Sequence, residues 1–290
     1  MSQPATIERV GVVGVGQMGL GVVEVCARAE MDVVATDRSQ EVLDAAAARL
    51  DASLDRAVRK GKLGDEEARA ARERVTFADD VGAHADRQLV VEAATEDPDV
   101  KLPIFTRLDE VVEDPDAVLA TNTSSIPIMK LAMATNRPAQ VIGIHFFNPV
   151  PVLPLVEVVT SLLTTDDVVE RATAFSEAQL DKRVIRSQDR AGFIVNALLI
   201  PYILSAIRMY ESGFASRDDI DQGMVLGCAH PMGPLALADL IGLDTVAAVA
   251  QSLYEEFKEP LNSAPPLLAR MVDAGLLGRK TGHGFYDYTT

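Results

Sequence analysis

The chain contains no tryptophan, two cysteines and four histidines in 290 residues. Cys26 and Cys228 are too few and too far apart for a disulfide framework or a structural zinc site, which excludes small stapled scaffolds and zinc modules. Positive charge is scarce as well: 27 Lys and Arg stand against 43 Asp and Glu, a net charge of −16. That field repels nucleic acid and anionic membrane surfaces, so neither is an expected partner. No apolar run approaches the roughly 18 residues needed to span a bilayer. The opening MSQPATIERVGVVGVG has neither the basic start nor the long apolar middle of a secretory leader, so a cytoplasmic protein is expected.

What is present is apolar enough, at 48% hydrophobic residues, to build a substantial core, and the length predicts about two domains. Residues 7–13 and 31–36 are short β-branched runs flanking an alanine-rich stretch at 18–30, a βαβ unit. Residues 41–74 change character, with Ala, Leu, Glu and Arg in two blocks separated by Gly61 and Gly64; they predict a helical hairpin inserted beside the sheet. Strand signals return at 74–77, 88–93, 117–121, 140–146, 155–160 and 183–187, with helices over 100–112 and 166–179. This alternation predicts a Rossmann-like, doubly wound α/β fold with a mostly parallel sheet. From Gly192 the strand signals stop, and five helical segments follow over 192–212, 217–226, 234–239, 243–257 and 265–274. The expected division is therefore 1–187, a nucleotide-binding α/β domain, and 188–290, an all-α domain.

GVGQMG follows the first strand and opens the first helix. Gly14 permits the tight turn, Gly16 lets backbone approach a pyrophosphate, and Gly19 permits close helix–strand packing. The loop Gly14, Gly16, Gln17, Met18 and Gly19 is thus the expected seat of a dinucleotide, bound by the free N–H groups of a helix N-terminus. Asp37 ends the second strand, 21 residues past Gly16, where a carboxylate accepts from ribose hydroxyls and repels a 2′-phosphate. NAD is expected over NADP.

With four histidines the search for a general base is short. His84 lies in the polar stretch GAHADRQ and reads as a solvated loop residue. His230, in CAHPMGP, reads as a capping or packing residue, and His283 as an exposed one near the C-terminus. His145 ends the strand VIGIHF, at the edge of a parallel sheet where ligands bind. Glu157 lies twelve residues on, in LPLVEVV, beyond a bend made by Pro149, Pro151 and Pro154. If the bend reverses the chain, the two meet on adjacent strands, and a carboxylate on one ring nitrogen fixes the tautomer and favours protonation of the other. A buried structural His–Glu pair is the competing reading. Asn122, Thr123, Ser124 and Ser125 also follow a strand, and Asn196 interrupts the apolar GFIVNALLIPY; a hydroxyl and an amide of this kind orient a substrate oxygen.

GVGQMG, VVEAATED, ATNTSS, IGIHFFNPVPVLPLVEVV, GFIVNALLIPY, HPMGPLALADLIGLDT and GRKTGHGFYDY together, over the whole chain and in this order, resemble the 3-hydroxyacyl-CoA dehydrogenases, most closely those of the bacterial 3-hydroxybutyryl-CoA type. The resemblance implies reversible oxidation of an (S)-3-hydroxyacyl-CoA to the 3-ketoacyl-CoA, with His145 as catalytic base and Glu157 as its partner. It implies that Ser124 and Asn196 contact the reacting part of the substrate. Cofactor contacts are implied for Asp37, Glu96, Lys101, Ser124, Asn148 and Lys280, and CoA contacts for Ser53 and Lys60. It also implies a homodimer through the helical domain, and the helix beginning at Phe193, apolar nearly all round, is consistent with such a covered surface. Val15 and Gln17 depart from the alanine and threonine or serine frequent in the family's loop. Arg49, Arg56, Arg59, Lys60 and Lys62 form the densest basic run of the N-terminal half, suited either to CoA phosphates or to a solvated helix face with its own acidic partners. A dehydrogenase of a free 3-hydroxy acid or sugar acid, and a dinucleotide-binding protein without catalysis, are the alternative readings.

Overall fold

The valine-rich run after residue 8 forms the central strand β1 (Arg9–Val13), paired in parallel with β2 (Asp32–Thr36) on one side and β4 (Leu89–Glu92) on the other. The computed structural model describes residues 6–289; residues 1–5, which carry the start of the leader-peptide reading, lie outside the described residues, as does 290. With β3 (Val75–Ala78), β5 (Val118–Thr121), β6 (Val141–Phe146), β7 (Leu155–Thr160) and β8 (Arg183–Gln188), the sheet has eight strands in the order β3-β2-β1-β4-β5-β6-β7-β8. Every neighbouring pair is parallel except β6 and β7. β4, β5 and β6 are buried along their whole length, as a sheet covered on both faces requires, and this is why they read as unbroken apolar runs.

The first helix, α1 (Gln17–Arg28), returns the chain from β1 to β2. The expected insertion is α2 (Gln40–Arg59) and α3 (Asp65–Glu73). Ser39 caps α2, its Oγ accepting from Val42 N at 3.4 Å. Leu43, Ala46, Leu50 and Leu54 recur at helical spacing and are fully buried against the first core; truncating Leu50 to alanine costs about 2–5 kcal/mol. α4 (Pro98–Val111) joins β4 to β5, and α6 (Asp166–Ala174) runs into a single π-helical turn before β8. Residues 128–132, where no helix is expected, form the short α5 (Ile128–Ala132) because Asp189 accepts its first two N–H groups at 2.8 and 2.7 Å.

His84 corrects the sequence reading. It is wholly buried, with Nε2 2.9 Å from Thr36 Oγ1. Its ring takes the place of a side chain that Gly11 lacks: a Cβ there would lie 2.4 Å from His84 Nδ1. Burial, with the charge of Arg87, pushes the imidazole down to about 4, so it is neutral at physiological pH.

Two units divide the chain, with the boundary between Asp189 and Arg190, two residues past the expected one because β8 extends to Gln188 and Asp189 serves α5. The second unit is helical: α7 (Val195–Glu211), α8 (Arg217–Cys228), α9 (Pro234–Ile241), α10 (Leu243–Phe257) and α11 (Pro266–Asp273). Its core gathers Ile203, Leu204 and Ile207 of α7 with Leu235, Val246, Leu253 and Leu268. No single helix among the described residues is long and apolar enough to cross a membrane.

Candidate active site

The glycine loop follows β1 at the edge of the sheet where ligands bind. Gly14 has φ +93°, a conformation costly for any residue with a side chain. At Gly19 a Cβ would lie 1.8 Å from the carbonyl oxygen of Gly14, so only glycine lets α1 start this close to the strand. Gly16 differs, because a Cβ there would meet nothing within 4 Å; the loop faces open space at the N-terminus of α1, which has no side-chain cap. Val15 is held from the other side. Its N–H donates to Asp37 Oδ2 at 2.9 Å, while Arg49 Nη2 donates to its carbonyl at 2.6 Å. Asp37 therefore shapes the loop as well as standing at the end of β2, and its Oδ1 takes the N–H of Arg38 at 2.8 Å. Gln17 Nε2 donates to Asn148 Oδ1 at 3.1 Å, joining the glycine loop to the turn after β6. Met18 is half-buried and packs on the core.

The second cluster is built by strands β4 to β7. The antiparallel register sets His145 opposite Glu157, and Nδ1 lies 2.8 Å from Glu157 Oε2. Both side chains are almost fully enclosed. A carboxylate on Nδ1 fixes that nitrogen as the N–H donor, which leaves Nε2 as acceptor. Ser124 Oγ lies 3.0 Å from Nε2 and so donates to it. Phe147 stands edge-on to the imidazole at a centroid distance of 4.7 Å. Asn122 Oδ1 accepts from Phe146 N at 2.8 Å, locking the polar turn to the end of β6.

Glu96 organises that turn. Its Oε1 accepts from Thr123 Oγ1, Ser124 N, Ser125 N and Ser125 Oγ at 2.6 to 2.9 Å. Spacing alone gives no sign of this role, because the glutamate is 27 residues away in sequence. Lys101, at 1% exposure, lies under the 93–96 segment, donating to Glu92 Oε1 at 2.6 Å and Ala94 O at 3.2 Å, with Glu96 Oε2 at 3.6 Å.

In the insertion, Ser53 Oγ donates to Glu24 Oε2 at 2.7 Å, and Lys60 is exposed at the C-cap of α2. Arg49 leaves the expected basic surface, its guanidinium being turned to Val15. In the second unit, Asn196 lies in the first turn of α7, and Lys280 pairs with Asp244. His230 packs edge-on against Tyr202, whose hydroxyl lies 3.2 Å from its Nδ1, and His283 is exposed beside Asp287.

Comparison with known proteins matches the chain along its length. Residues 9–190 match the model of the 3-hydroxyacyl-CoA dehydrogenase NAD binding domain, and residues 192–288 that of the family's C-terminal domain. The chain belongs to the 3-hydroxyacyl-CoA dehydrogenase family. A 3-hydroxybutyryl-CoA dehydrogenase of Mycobacterium tuberculosis is 55% identical over 282 residues, covering 97% of this chain and 99% of that protein. The crystal structure of M. tuberculosis FadB2 superposes with a TM-score of 0.97 at 54% identity, covering 98% of this chain and 100% of that one. That of (S)-3-hydroxybutyryl-CoA dehydrogenase PaaH1 from Ralstonia eutropha gives 0.93 at 43% identity, with coverage of 98% and 100%. This dehydrogenase is an oxidoreductase with NAD as its cofactor. The residues fit that group: Gly16 leaves a cradle that a side chain would otherwise face, at a helix N-terminus with free N–H groups, and Asp37 ends the neighbouring strand.

Proposed function

We propose that this dehydrogenase interconverts (S)-3-hydroxybutyryl-CoA and acetoacetyl-CoA, with His145 as the general base in oxidation and the general acid in reduction. The substrate named for the M. tuberculosis and R. eutropha relatives supports the choice of acyl group. The observation that carries the mechanism is the line Glu157 Oε2, His145 Nδ1 and Nε2, Ser124 Oγ, with steps of 2.8 and 3.0 Å. NAD, when bound, supplies the hydride acceptor. In oxidation His145 Nε2 takes the proton of the 3-hydroxyl, and the Glu157 carboxylate stabilises the imidazolium that results. In reduction the same imidazolium returns its proton to the C3 oxygen. Ser124 orients that oxygen toward Nε2, and Asn196 is its second hydrogen-bonding partner.

Cofactor contacts fall to Gly14, Gly16, Gln17, Met18 and Gly19, to Asp37 for the ribose, and to Glu96, Lys101, Ser124, Asn148 and Lys280. Ser53 and Lys60 face the CoA portion. The enzyme works in the cytoplasm as a homodimer joined through the helical unit, a reading supported by Leu198 of α7, a large apolar side chain that is 73% exposed.

The test is NADH oxidation followed at 340 nm with acetoacetyl-CoA. His145→Gln and Glu157→Gln are expected to lower kcat by about 10²–10⁴ and by about ten-fold or more, respectively, while NADH still binds. Turnover like the wild type in His145→Gln would overturn the mechanism.

A further inference from the structure

The three glycines do not by themselves fix which way the peptide groups of their loop point. In a trans peptide the C=O and the following N–H point in opposite directions, so whatever holds one aims the other. The Gly14–Val15 peptide is held by Asp37, which takes the Val15 N–H at 2.9 Å. The Gly14 carbonyl accordingly points to the other side, against Gly19. The Val15–Gly16 peptide is held from α2, where Arg49 Nη2 reaches the Val15 carbonyl at 2.6 Å. The N–H of Gly16 therefore points away from Arg49 and α2, at a residue around whose Cβ position there is open space.

We propose that Arg49 is a positioning residue of the cofactor site, which presents the Gly16 N–H to the pyrophosphate by holding the Val15 carbonyl. The inference rests on the reading of this loop as the pyrophosphate seat. It also gives the α2–α3 insertion a second task besides any contact with CoA, since a residue two turns into α2 completes the dinucleotide loop. The guanidinium suits the task because it is always charged and its hydrogen bond to a carbonyl is correspondingly strong. Val15 is fully buried, so its carbonyl has no solvent to turn to once that donor is removed.

Arg49→Met keeps an unbranched apolar stem and removes the donor, while Arg49→Lys retains a single cationic donor. NADH dissociation constants are measured by the quenching or enhancement of cofactor fluorescence, alongside the melting temperature of the cofactor-free protein and the two KM values in acetoacetyl-CoA reduction. Arg49→Met is expected to weaken NADH binding about ten-fold, raising KM for NADH while kcat and KM for acetoacetyl-CoA stay within about two-fold. Arg49→Lys is expected to recover most of that loss, because one carbonyl needs one donor. An unchanged NADH dissociation constant in Arg49→Met would overturn the role of Arg49, as would a rise confined to KM for acetoacetyl-CoA or a fall in melting temperature with NADH affinity intact. Failure of the wild-type protein to bind NADH would overturn the reading of the loop itself.

Discussion

His84 links the stability of the first unit to pH, and the size of the effect follows from its surroundings. The ring is enclosed between Gly11 and Thr36, and its Nδ1 has no hydrogen-bond partner among the described residues. In the folded protein it takes up a proton only near pH 4, against an ordinary value of 6.5. Above pH 6.5 neither state is protonated, and the histidine contributes no pH dependence. Between 6.5 and about 4 the unfolded chain binds the proton and the folded one does not, so stability falls as pH falls and levels off below the folded value. At ~1.36 kcal/mol per pH step, the loss reaches about 2 kcal/mol at pH 5 and about 3 kcal/mol at pH 4. His84→Gln removes the titration while leaving an amide within reach of Thr36. Urea unfolding of both proteins at intervals from pH 7.5 to 4.5 isolates the contribution, because every other titrating group is common to the two. The wild type should lose stability more steeply than the variant, by the amounts given. Parallel curves would refute the claim that a neutral, enclosed imidazole is part of the fold.

Three further outcomes test the geometry. Gly19→Ala places a methyl group 1.8 Å from the Gly14 carbonyl oxygen, so the loop must open; NADH titration should show no saturable binding at concentrations that saturate the wild type. Lys101→Met strands the buried carboxylate of Glu92 with, among the described residues, Thr121 Oγ1 and Ala94 N as its remaining donors. Chemical denaturation should report a loss of about 3–5 kcal/mol, and adding Glu92→Gln should restore part of it. Glu96→Ala removes the acceptor for four donors of the serine turn. It should lower kcat at least about ten-fold without abolishing folding, as judged by circular dichroism.

The strands of the sheet and the helical second unit are legible because the pattern of burial is written directly in the residues, whereas the order of the strands is not. β4 to β6 are buried throughout and read as strands from their apolar runs alone. The β7 reversal was legible from its prolines, and it sets His145 across from Glu157. What sequence could not give is the partner of a side chain once the chain has folded. A polar stretch around His84 suggested solvent, yet the ring fits the gap left by a glycine 73 positions earlier in the sequence, and no local pattern encodes such an encounter. Arg49 sat in a basic run that suggested a phosphate surface, and the structure spends it on a backbone carbonyl. The burial of Lys101 against Glu92 and Ala94 is likewise invisible in its exposed-looking EDPDVK surroundings, because it depends on a strand that is enclosed only once the sheet is paired. α5 escaped notice because its start is fixed by Asp189, some 60 residues away.

The grip of Glu96 on the serine turn reaches further than that turn. Its second oxygen lies 3.6 Å from the ammonium of Lys101, which is itself pinned to Glu92 in the middle of the sheet. The hydroxyl facing the imidazole thus sits on a half-buried turn and is anchored, through two successive charges, to one of the most deeply enclosed strands. Amide exchange at Ser124 and Ser125 should consequently be slow for a turn, keeping pace with the sheet interior rather than with its neighbouring loops.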